Sequence, residues 1–415
     1  MIRVKNLPKT IKNKSTYLIE NNKVNYFTHN LFKYPCKFIP EIPKWAILNY
    51  TKKGDYVLDP FSGSGTSLVE AFLNKRKPVG IDFDKLSELL CKTKTSVLNK
   101  KEIHLLKKNL NFFLNFNKKM KASLPKIINI DLWFNKKNLL DLSLLKRNIK
   151  NFYKKYPNKK IYNFLLVCFA AIIRKCSNAD NVSPKPYVSK RIKKEPLDVR
   201  ETFKGVFNKS LKSFNYNYPK KSYKCLFFTM DAKKISSLNF NNKIKLIVTS
   251  PPYINAFDYV RSLRLENCWL DYYNDESILE KKKEQIGTEF LNKNFHRNKL
   301  KKLDITNLDK LIKNVSFLDK KRAYIIQKFF EDIENCIIQF KKFLTKKGYF
   351  ILVISESKIR GYRVPSQDFI KQIAQKHGFK FVNSFSYIIK NRYLRIPRSG
   401  KGGFMKKDFV LVMRN

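Results

Sequence analysis

The strongest constraint on the fold is a glycine-rich turn, Pro-Phe-Ser-Gly-Ser-Gly-Thr, at residues 60–66. A short apolar run at residues 55–59 precedes the turn, a helix-forming segment follows it, and residues 78–82 form a second apolar run that ends in an acid. A strand, a glycine-rich turn, a helix and a strand in this order predict the beginning of a parallel α/β sheet. Gly63 and Gly65 permit a tight turn and allow a ligand to approach the backbone at a helix N-terminus.

The turn matches neither of two common nucleotide-binding motifs. Leu68 stands where a third glycine would complete the dinucleotide-binding fingerprint, and the phosphate-binding sequence Gly-Lys-Ser/Thr does not occur. The acids that end the two strands, Asp59 and Asp82, are placed to accept hydrogen bonds from an amine and from ribose hydroxyls, respectively. Taken alone, the turn is explained as well by a tight turn without a ligand as by a ligand site.

A second motif, Ser250-Pro251-Pro252-Tyr253, follows a predicted strand at residues 244–248. The two prolines end the strand rigidly and have no backbone hydrogen to donate. Their carbonyls and the Ser250 hydroxyl therefore present acceptors at the carboxyl end of a sheet, where α/β proteins bind ligands. Such acceptors can hold the hydrogens of an exocyclic amino group, and Tyr253 offers a flat face on which a nucleobase can stack. An ordinary strand terminator is the alternative interpretation.

The charge balance of the chain is strongly basic. Lysine and arginine number 86 against 33 aspartate and glutamate residues, which gives a net charge of +53. A charge of this sign attracts polyanions and excludes an acidic, solvating chain. Lys, Asn, Ile, Phe and Tyr are abundant together, a bias typical of AT-rich genomes, and this bias accounts for part of the excess. The charge supports a nucleic-acid partner without establishing one.

Cysteine and histidine usage bears on metals and on the compartment. The seven cysteines include no Cys-x-x-Cys pair, and with only four histidines no zinc-ligand spacing occurs. The longest apolar run, at residues 162–173, is much shorter than a membrane span and suits a buried helix. The basic N-terminus is not followed by the apolar region of a secretion signal. We therefore expect a cytoplasmic protein with reduced thiols that binds neither metal nor membrane.

A chain of 415 residues, 43% of them hydrophobic, can form one large α/β domain with insertions or two domains. Further apolar runs near the C-terminus predict one more strand and a closing antiparallel hairpin. A long, basic, helix-forming stretch separates the two sheet-forming parts of the chain. We predict an α/β fold with helical basic insertions, divided into an irregular N-terminal extension at 1–25, a catalytic domain at 26–94 and 226–415, and an inserted region at 95–225.

Together, residues 59–66 and 249–253 resemble the amino-methylating DNA methyltransferases, which methylate cytosine N4 or adenine N6. The segment at 34–40 is similar to the part of that family that packs on the methionine end of the cofactor, and Asp231 to the acid that reads the cofactor's adenine. The resemblance implies a Rossmann-like class I methyltransferase sheet and S-adenosylmethionine as cofactor. It implies these cofactor-binding residues: Phe38, Asp59, Phe61, Gly63, Gly65, Thr66, Asp82 and Asp231.

The resemblance also implies that Ser250, Pro251, Pro252 and Tyr253 are the catalytic residues. Cytosine-N4 enzymes of the family usually carry Ser at the first position of this motif, and adenine-N6 enzymes Asp or Asn. The sequence therefore predicts direct methyl transfer to N4 of an extruded cytosine in double-stranded DNA, within a restriction-modification or related defence system. The alternatives are an adenine-N6 DNA methyltransferase, an RNA amino-methyltransferase and a non-catalytic DNA-binding subunit.

Two basic regions are candidates for reading the DNA sequence. We favour 95–225, whose loop at 177–200 mixes cations with residues that can reach base edges, over the second region at 271–335. A solvated basic helical face is the alternative for both regions. Expected partners are double-stranded DNA and a cognate restriction endonuclease. The predicted DNA-binding residues are Lys190, Arg191, Lys193, Lys194, Arg261 and Arg264.

Overall fold

The structure is a computed structural model. The part of the chain that it describes comprises residues 1–20, 26–117, 123–191, 193–215, 223–240, 242–254, 258–291, 300–389 and 407–415.

The described residues contain a nine-stranded sheet and a separate two-stranded hairpin. The order across the large sheet is β1-β2-β10-β11-β7-β6-β3-β4-β5, and β8 pairs with β9 in the hairpin. The strands are β1 (Ile2–Val4), β2 (Ser15–Ile19), β3 (Tyr56–Asp59), β4 (Lys77–Asp82), β5 (Leu226–Thr229), β6 (Ile244–Thr249), β7 (Leu344–Ile354), β8 (Ser357–Ile359), β9 (Tyr362–Val364), β10 (Lys380–Ile388) and β11 (Lys407–Arg414).

The helices alternate with the strands and also fill the predicted insertions. None in the described part of the chain is long and apolar enough to cross a membrane. The α-helices are α1 (Glu41–Tyr50), α2 (Thr66–Leu73), α3 (Lys85–Lys94), α4 (Lys100–Lys108), α5 (Leu110–Leu114), α6 (Ile130–Trp133), α7 (Lys136–Lys155), α8 (Lys159–Ile173), α9 (Val199–Lys212), α10 (Tyr259–Ser262), α11 (Arg264–Trp269), α12 (Asp275–Glu284), α13 (Thr306–Leu318), α14 (Lys320–Phe343) and α15 (Ser366–Lys376).

Strand direction confirms the predicted fold class. The strands β3, β4, β5, β6 and β7 pair in parallel, and β11 runs antiparallel to both of its neighbours, β7 and β10. Because β11 alone is reversed in the large sheet, the chain closes with the predicted antiparallel C-terminal hairpin. The parallel strands share one carboxyl edge, and this edge is where open α/β sheets bind their ligands.

Side chains of the central strands alternate between two cores. Val57 and Leu246 pack with α1 on one face, while Leu58 and Ile247 pack with α14 on the other. Because helices cover both faces of the sheet, the sequences of these strands are continuously apolar and do not alternate between apolar and polar residues. The predicted inserted region at 95–225 shares a third core with α3, α10 and α11. Packing is thus continuous across the predicted boundaries at 94 and 226.

The prediction of an irregular N-terminal extension is wrong for residues 15–19. Strand β2 adds to the sheet in parallel with β10, with Ser15 opposite Phe385 and Tyr17 opposite Tyr387. Tyr17 and Ile19 are each only 2% exposed. Their spacing of two is the strand period, and it directs both side chains into the core under the sheet. A five-residue strand between Lys- and Asn-rich segments gives only a weak sequence signal.

We expect replacement of Tyr17 by Ala to destabilise the protein by about 3 kcal/mol, the usual cost of deleting a large buried aromatic side chain. The Tyr17 ring lies edge-on to Phe385 at a centroid distance of 5.8 Å. The variant loses this contact and the burial of the ring. Denaturant unfolding measures the difference. Ile2→Ala is the control because Ile2 is 40% exposed. Equal stabilities of the two variants would contradict the packing of β2 on the sheet.

Candidate active site

A cavity of about 320 Å³ opens at the carboxyl ends of β3, β4, β5 and β6. Its walls combine residues from both sequence motifs and from the segments before and between them. The structure therefore brings most of the predicted site residues to one place. Those that line the cavity are Phe38, Phe61, Gly63, Thr66, Asp82, Asp231, Ser250 and Pro252.

The shape of the glycine-rich turn requires glycine at both Gly63 and Gly65. Gly63 has φ +46°, and a Cβ there would lie 3.2 Å from the Tyr34 ring. Gly65 has φ +79°, and a Cβ there would lie 2.9 Å from Cys91 Sγ. Both conformations favour glycine on backbone grounds. Gly65 lies at the start of α2, away from the cavity wall, so its contribution is to the shape of the turn.

The Asp82 carboxylate is held in place by the backbone. Its Oδ2 accepts from the Gly63 amide at 2.8 Å, and its Oδ1 accepts from the Asp84 amide at 3.0 Å. Burial raises the pKa of Asp82 to about 6, although these amides favour its charged form. Each carboxylate oxygen has a second lone pair, so the group can still accept from a ligand hydroxyl in the cavity.

Asp59 is directed away from the cavity. It is 1% exposed, and its Oδ1 accepts from the Thr249 hydroxyl at 2.6 Å and from the Phe61 amide at 3.1 Å. Burial raises its pKa to about 6. The prediction that Asp59 accepts directly from a ligand amine is therefore not supported by its position. The carboxylate instead joins the end of β3 to the end of β6.

Asp231 follows β5 and caps a short 3-10 helix at Ala232–Ser237. Its Oδ1 accepts from the Lys233 amide at 2.9 Å, and its Oδ2 lies 3.5 Å from Lys233 Nζ. The carboxylate still contributes to the cavity wall. Phe61 forms part of the apolar wall and contacts Phe340 edge-on. A polar acceptor and an aromatic surface thus both line the cavity.

The predicted catalytic motif begins directly after β6. Ser250 and Pro252 line the cavity, whereas Pro251 is buried and Tyr253 is half-buried with its hydroxyl directed at Asp408 of β11. The Tyr253 hydroxyl donates to Asp408 Oδ1 at 3.0 Å, and Ser250 Oγ lies 3.4 Å from the Tyr253 oxygen. The ring of Tyr253 is therefore anchored through its hydroxyl.

The cavity contains residues that the sequence analysis missed. Helix α12 contributes Lys281 and Glu284, and Ile286 follows it. Arg264 pairs with Asp275 at the start of this helix and holds it against α11. In the sequence this region is only a second candidate for reading DNA, because no motif in it indicates a contact with the cavity. Within the described residues, no cluster of His, Cys, Asp or Glu that could hold a metal ion occurs.

The six predicted DNA-binding residues fall into two groups. Lys190, Arg191, Lys193 and Arg261 have exposed side chains, as phosphate contacts require. Lys194 differs, because its ammonium donates to backbone carbonyls at 2.7–2.9 Å within the loop and burial lowers its pKa to about 8.

Arg264 also differs from the exposed cations. Its guanidinium pairs with both oxygens of Asp275 and lies over the Trp133 ring, 5.2 Å from the centroid. A guanidinium committed to a bidentate pair and an aromatic face has few donors left for a phosphate. The predictions for Lys194 and Arg264 are therefore revised: both stabilise the local structure.

Comparison with known proteins gives a family match. Residues 4–92 match a family model described as DNA methylase. The Type II methyltransferase M.MvaI of Kocuria varians is 24% identical over 99% of this chain and 96% of its own length. The Type II methyltransferase M.BsoBI of Geobacillus stearothermophilus is 24% identical over 67% of this chain and 58% of its own. M.MjaII of Methanocaldococcus jannaschii, also a Type II methyltransferase, is 32% identical over 26% of this chain and 20% of its own.

These matches support an amino-methylating DNA methyltransferase of the N4/N6 type. The methyl donor of this methyltransferase is S-adenosylmethionine. The polar and aromatic groups of the cavity fit that molecule. Carboxylates of Asp82 and Asp231 suit hydroxyl and amino groups, aromatic side chains such as Phe61 suit a nucleobase, and Gly63 leaves backbone accessible.

We expect Asp82→Ala to weaken S-adenosylmethionine binding roughly 10–100-fold, because a charged acceptor in the cavity is lost. The substitution also leaves the Gly63 amide without its partner, which loosens the turn. Titration calorimetry on the folded variant measures the affinity. Asp55→Ala is the matched control, since Asp55 precedes β3 at the opposite edge of the sheet. Unchanged affinity in Asp82→Ala would exclude this placement of the cofactor.

Proposed function

We propose that this methyltransferase modifies the exocyclic N4 of cytosine in double-stranded DNA. The observation that carries the proposal is that Ser250 and Pro252 line the same cavity as Asp82 and Asp231. Ser250, an acceptor for an amino group, thus lies beside groups suited to the methyl donor. Relatives named as Type II methyltransferases support a role in a restriction-modification system.

In the proposed reaction the protein orients the amine. Ser250 Oγ and the Pro251 carbonyl each accept one amine hydrogen, and the nitrogen lone pair is left directed at the methyl carbon. S-adenosylmethionine, when bound, supplies a methyl group that the sulfonium charge makes electrophilic. The amine nitrogen forms the new bond as the carbon–sulfur bond breaks with its electron pair, and the nitrogen then releases one proton to water. Orientation of this kind accelerates transfer without a covalent enzyme intermediate.

The choice of cytosine over adenine rests on Ser250. A neutral hydroxyl at this position is the family pattern for cytosine-N4 enzymes, while both target amines are conjugated and suit the same pair of acceptors. Tyr253 remains our candidate for stacking on the extruded base. Since its hydroxyl is bonded to Asp408, its ring would be presented in a fixed plane.

We expect Ser250→Ala to lower kcat roughly 10–1000-fold with little change in DNA or cofactor affinity, because the lost contact matters most in the transition state. Single-turnover methylation assays give the rate, and calorimetry gives the affinities. Ser236→Ala serves as control, since Ser236 lies near Lys243 and Lys342, beside the amino ends of β6 and β7, and does not line the cavity.

Mass spectrometry of digested product DNA identifies the methylated atom. N4-methylcytosine is the expected product. N6-methyladenine as sole product would overturn the cytosine assignment and leave the amine mechanism intact. A product of 5-methylcytosine would overturn the mechanism itself, because carbon methylation needs a different activation of the base.

We also propose that DNA lies against the exposed cations of the loop at 177–200. Lys190, Arg191 and Lys193 are exposed, whereas Lys194 is used to hold the loop together. The internal bonds of Lys194 support a defined loop shape from which its neighbours project. The loop is therefore a better candidate for phosphate contacts than a freely solvated basic tail.

We expect affinity for duplex DNA to fall with salt with a log–log slope of magnitude at least about 4. Replacing Lys190, Arg191 and Lys193 by Gln should make the slope shallower by about 2–3, which corresponds to three phosphate contacts. Fluorescence anisotropy over a salt series measures the slope. The control neutralises Lys243, Lys342 and Lys346, which lie together beside the amino ends of β6 and β7. Equal effects of the two triple variants would indicate non-specific attraction only.

A further inference from the structure

A buried carboxylate lies behind the catalytic motif. Asp408 is the second residue of β11 and is only 7% exposed. The sequence analysis did not single it out, because 155 residues separate it from Tyr253. The sheet brings it beside the motif, since β11 pairs with β7 and β7 pairs with β6.

Three hydroxyl groups surround the Asp408 carboxylate. Oδ1 lies 3.0 Å from the Tyr253 hydroxyl and 2.6 Å from Ser355 Oγ, and Oδ2 accepts from the Tyr387 hydroxyl at 2.8 Å. These hydroxyls come from the catalytic segment, from the residue after β7 and from β10. A buried charge needs such donors, because desolvation is otherwise very costly.

The direction of the hydrogen bonds follows from the chemistry of the groups. An ionised carboxylate has no hydrogen to donate, so the Tyr253 hydroxyl must spend its single hydrogen on Asp408. The Tyr253 oxygen can then only accept from Ser250 Oγ, 3.4 Å away. Ser250 in turn directs its own hydrogen at Tyr253, and its lone pairs stay free on the cavity side.

We propose that Asp408 is a positioning residue that sets the polarity of the chain Ser250–Tyr253–Asp408. By fixing Tyr253 as a donor to the carboxylate, it makes Ser250 an acceptor for the substrate amine. The inference rests on the proposed function, in which Ser250 accepts from that amine. Without Asp408, Tyr253 can donate to Ser250, and the Ser250 hydrogen then turns towards the amine hydrogens that it should receive.

A purely structural role for Asp408 is the competing explanation. The carboxylate also joins β11 to β10 through Tyr387 and to the end of β7 through Ser355. Tyr387→Phe removes one of these bonds and leaves the chain to Ser250 in place. This variant is therefore the matched control for loss of support without a change in polarity.

The test compares Asp408→Leu, Asp408→Asn and Tyr253→Phe in the full-length enzyme. Leucine has a similar shape and cannot accept, and we expect kcat to fall roughly 10–100-fold with KM for DNA nearly unchanged. Asparagine can keep its amide oxygen at the Oδ1 position, and we expect it to retain most of the activity. In the Tyr253→Phe background, Asp408→Leu should cause no further loss, because its effect passes through the Tyr253 hydroxyl.

The outcomes separate this inference from the proposed function. If Ser250→Ala keeps full kcat, the proposed function fails. If Ser250→Ala loses activity while Asp408→Leu retains it, or if Tyr387→Phe loses as much as Asp408→Leu, the polarity proposal fails. Should Asp408→Leu not fold, Tyr253→Phe carries the test alone. Unchanged kcat in Tyr253→Phe would overturn the proposal, because the link from Ser250 to Asp408 would then have no effect.

Discussion

The active-site architecture depends on one buried contact, the hydrogen bond from the Thr249 hydroxyl to Asp59 Oδ1 at 2.6 Å. These residues end β3 and β6, the neighbouring strands at the centre of the sheet. Asp59 also accepts from the Phe61 amide, so the same carboxylate holds the first residues of the glycine-rich turn. Separation of the strands would remove the Thr249 hydroxyl from this buried carboxylate, and the loss of a donor to a buried charge is costly. The contact fixes the distance between the two motifs.

Part of the positive charge is structural. Lys94 is 1% exposed and donates to the Ser64 carbonyl at 2.8 Å, behind the glycine-rich turn. Arg76 is 6% exposed and donates to the Thr51 carbonyl at 2.7 Å. Lys194 and Arg264, both predicted to bind DNA, are used in a similar way. The net charge therefore overstates the number of cations available to a polyanion. The exposure of each Lys and Arg side chain shows which of them can contact one.

The predictable part of the site is the part that is local in sequence. The turn at 60–66 and the Ser-Pro-Pro-Tyr motif each mark the end of a strand. The carboxyl ends of parallel strands lie at the same edge of a sheet, so the two motifs must lie close together. The position of Asp59 could not be read in this way, because a strand-end acid can face either the cavity or the neighbouring strand. Tyr17 and Asp408 gave no signal for a related reason. Tyr17 packs on Phe385 at the other end of the chain, and Asp408 bonds to Tyr253, 155 residues before it.

The two regions considered for DNA recognition are in direct contact, since Asp271 pairs with Lys146 and Lys150. Asp275, at the start of α12, accepts from the Ile128 amide at 2.6 Å and pairs with Arg264. Ile128 belongs to the inserted region at 95–225, while α12 carries Lys281 and Glu284 to the cavity wall. The two regions are therefore not separate candidates for DNA recognition, as the sequence suggested, but parts of one connected structure. Helix α12 therefore connects the inserted region, through Asp275, to the wall of the cavity.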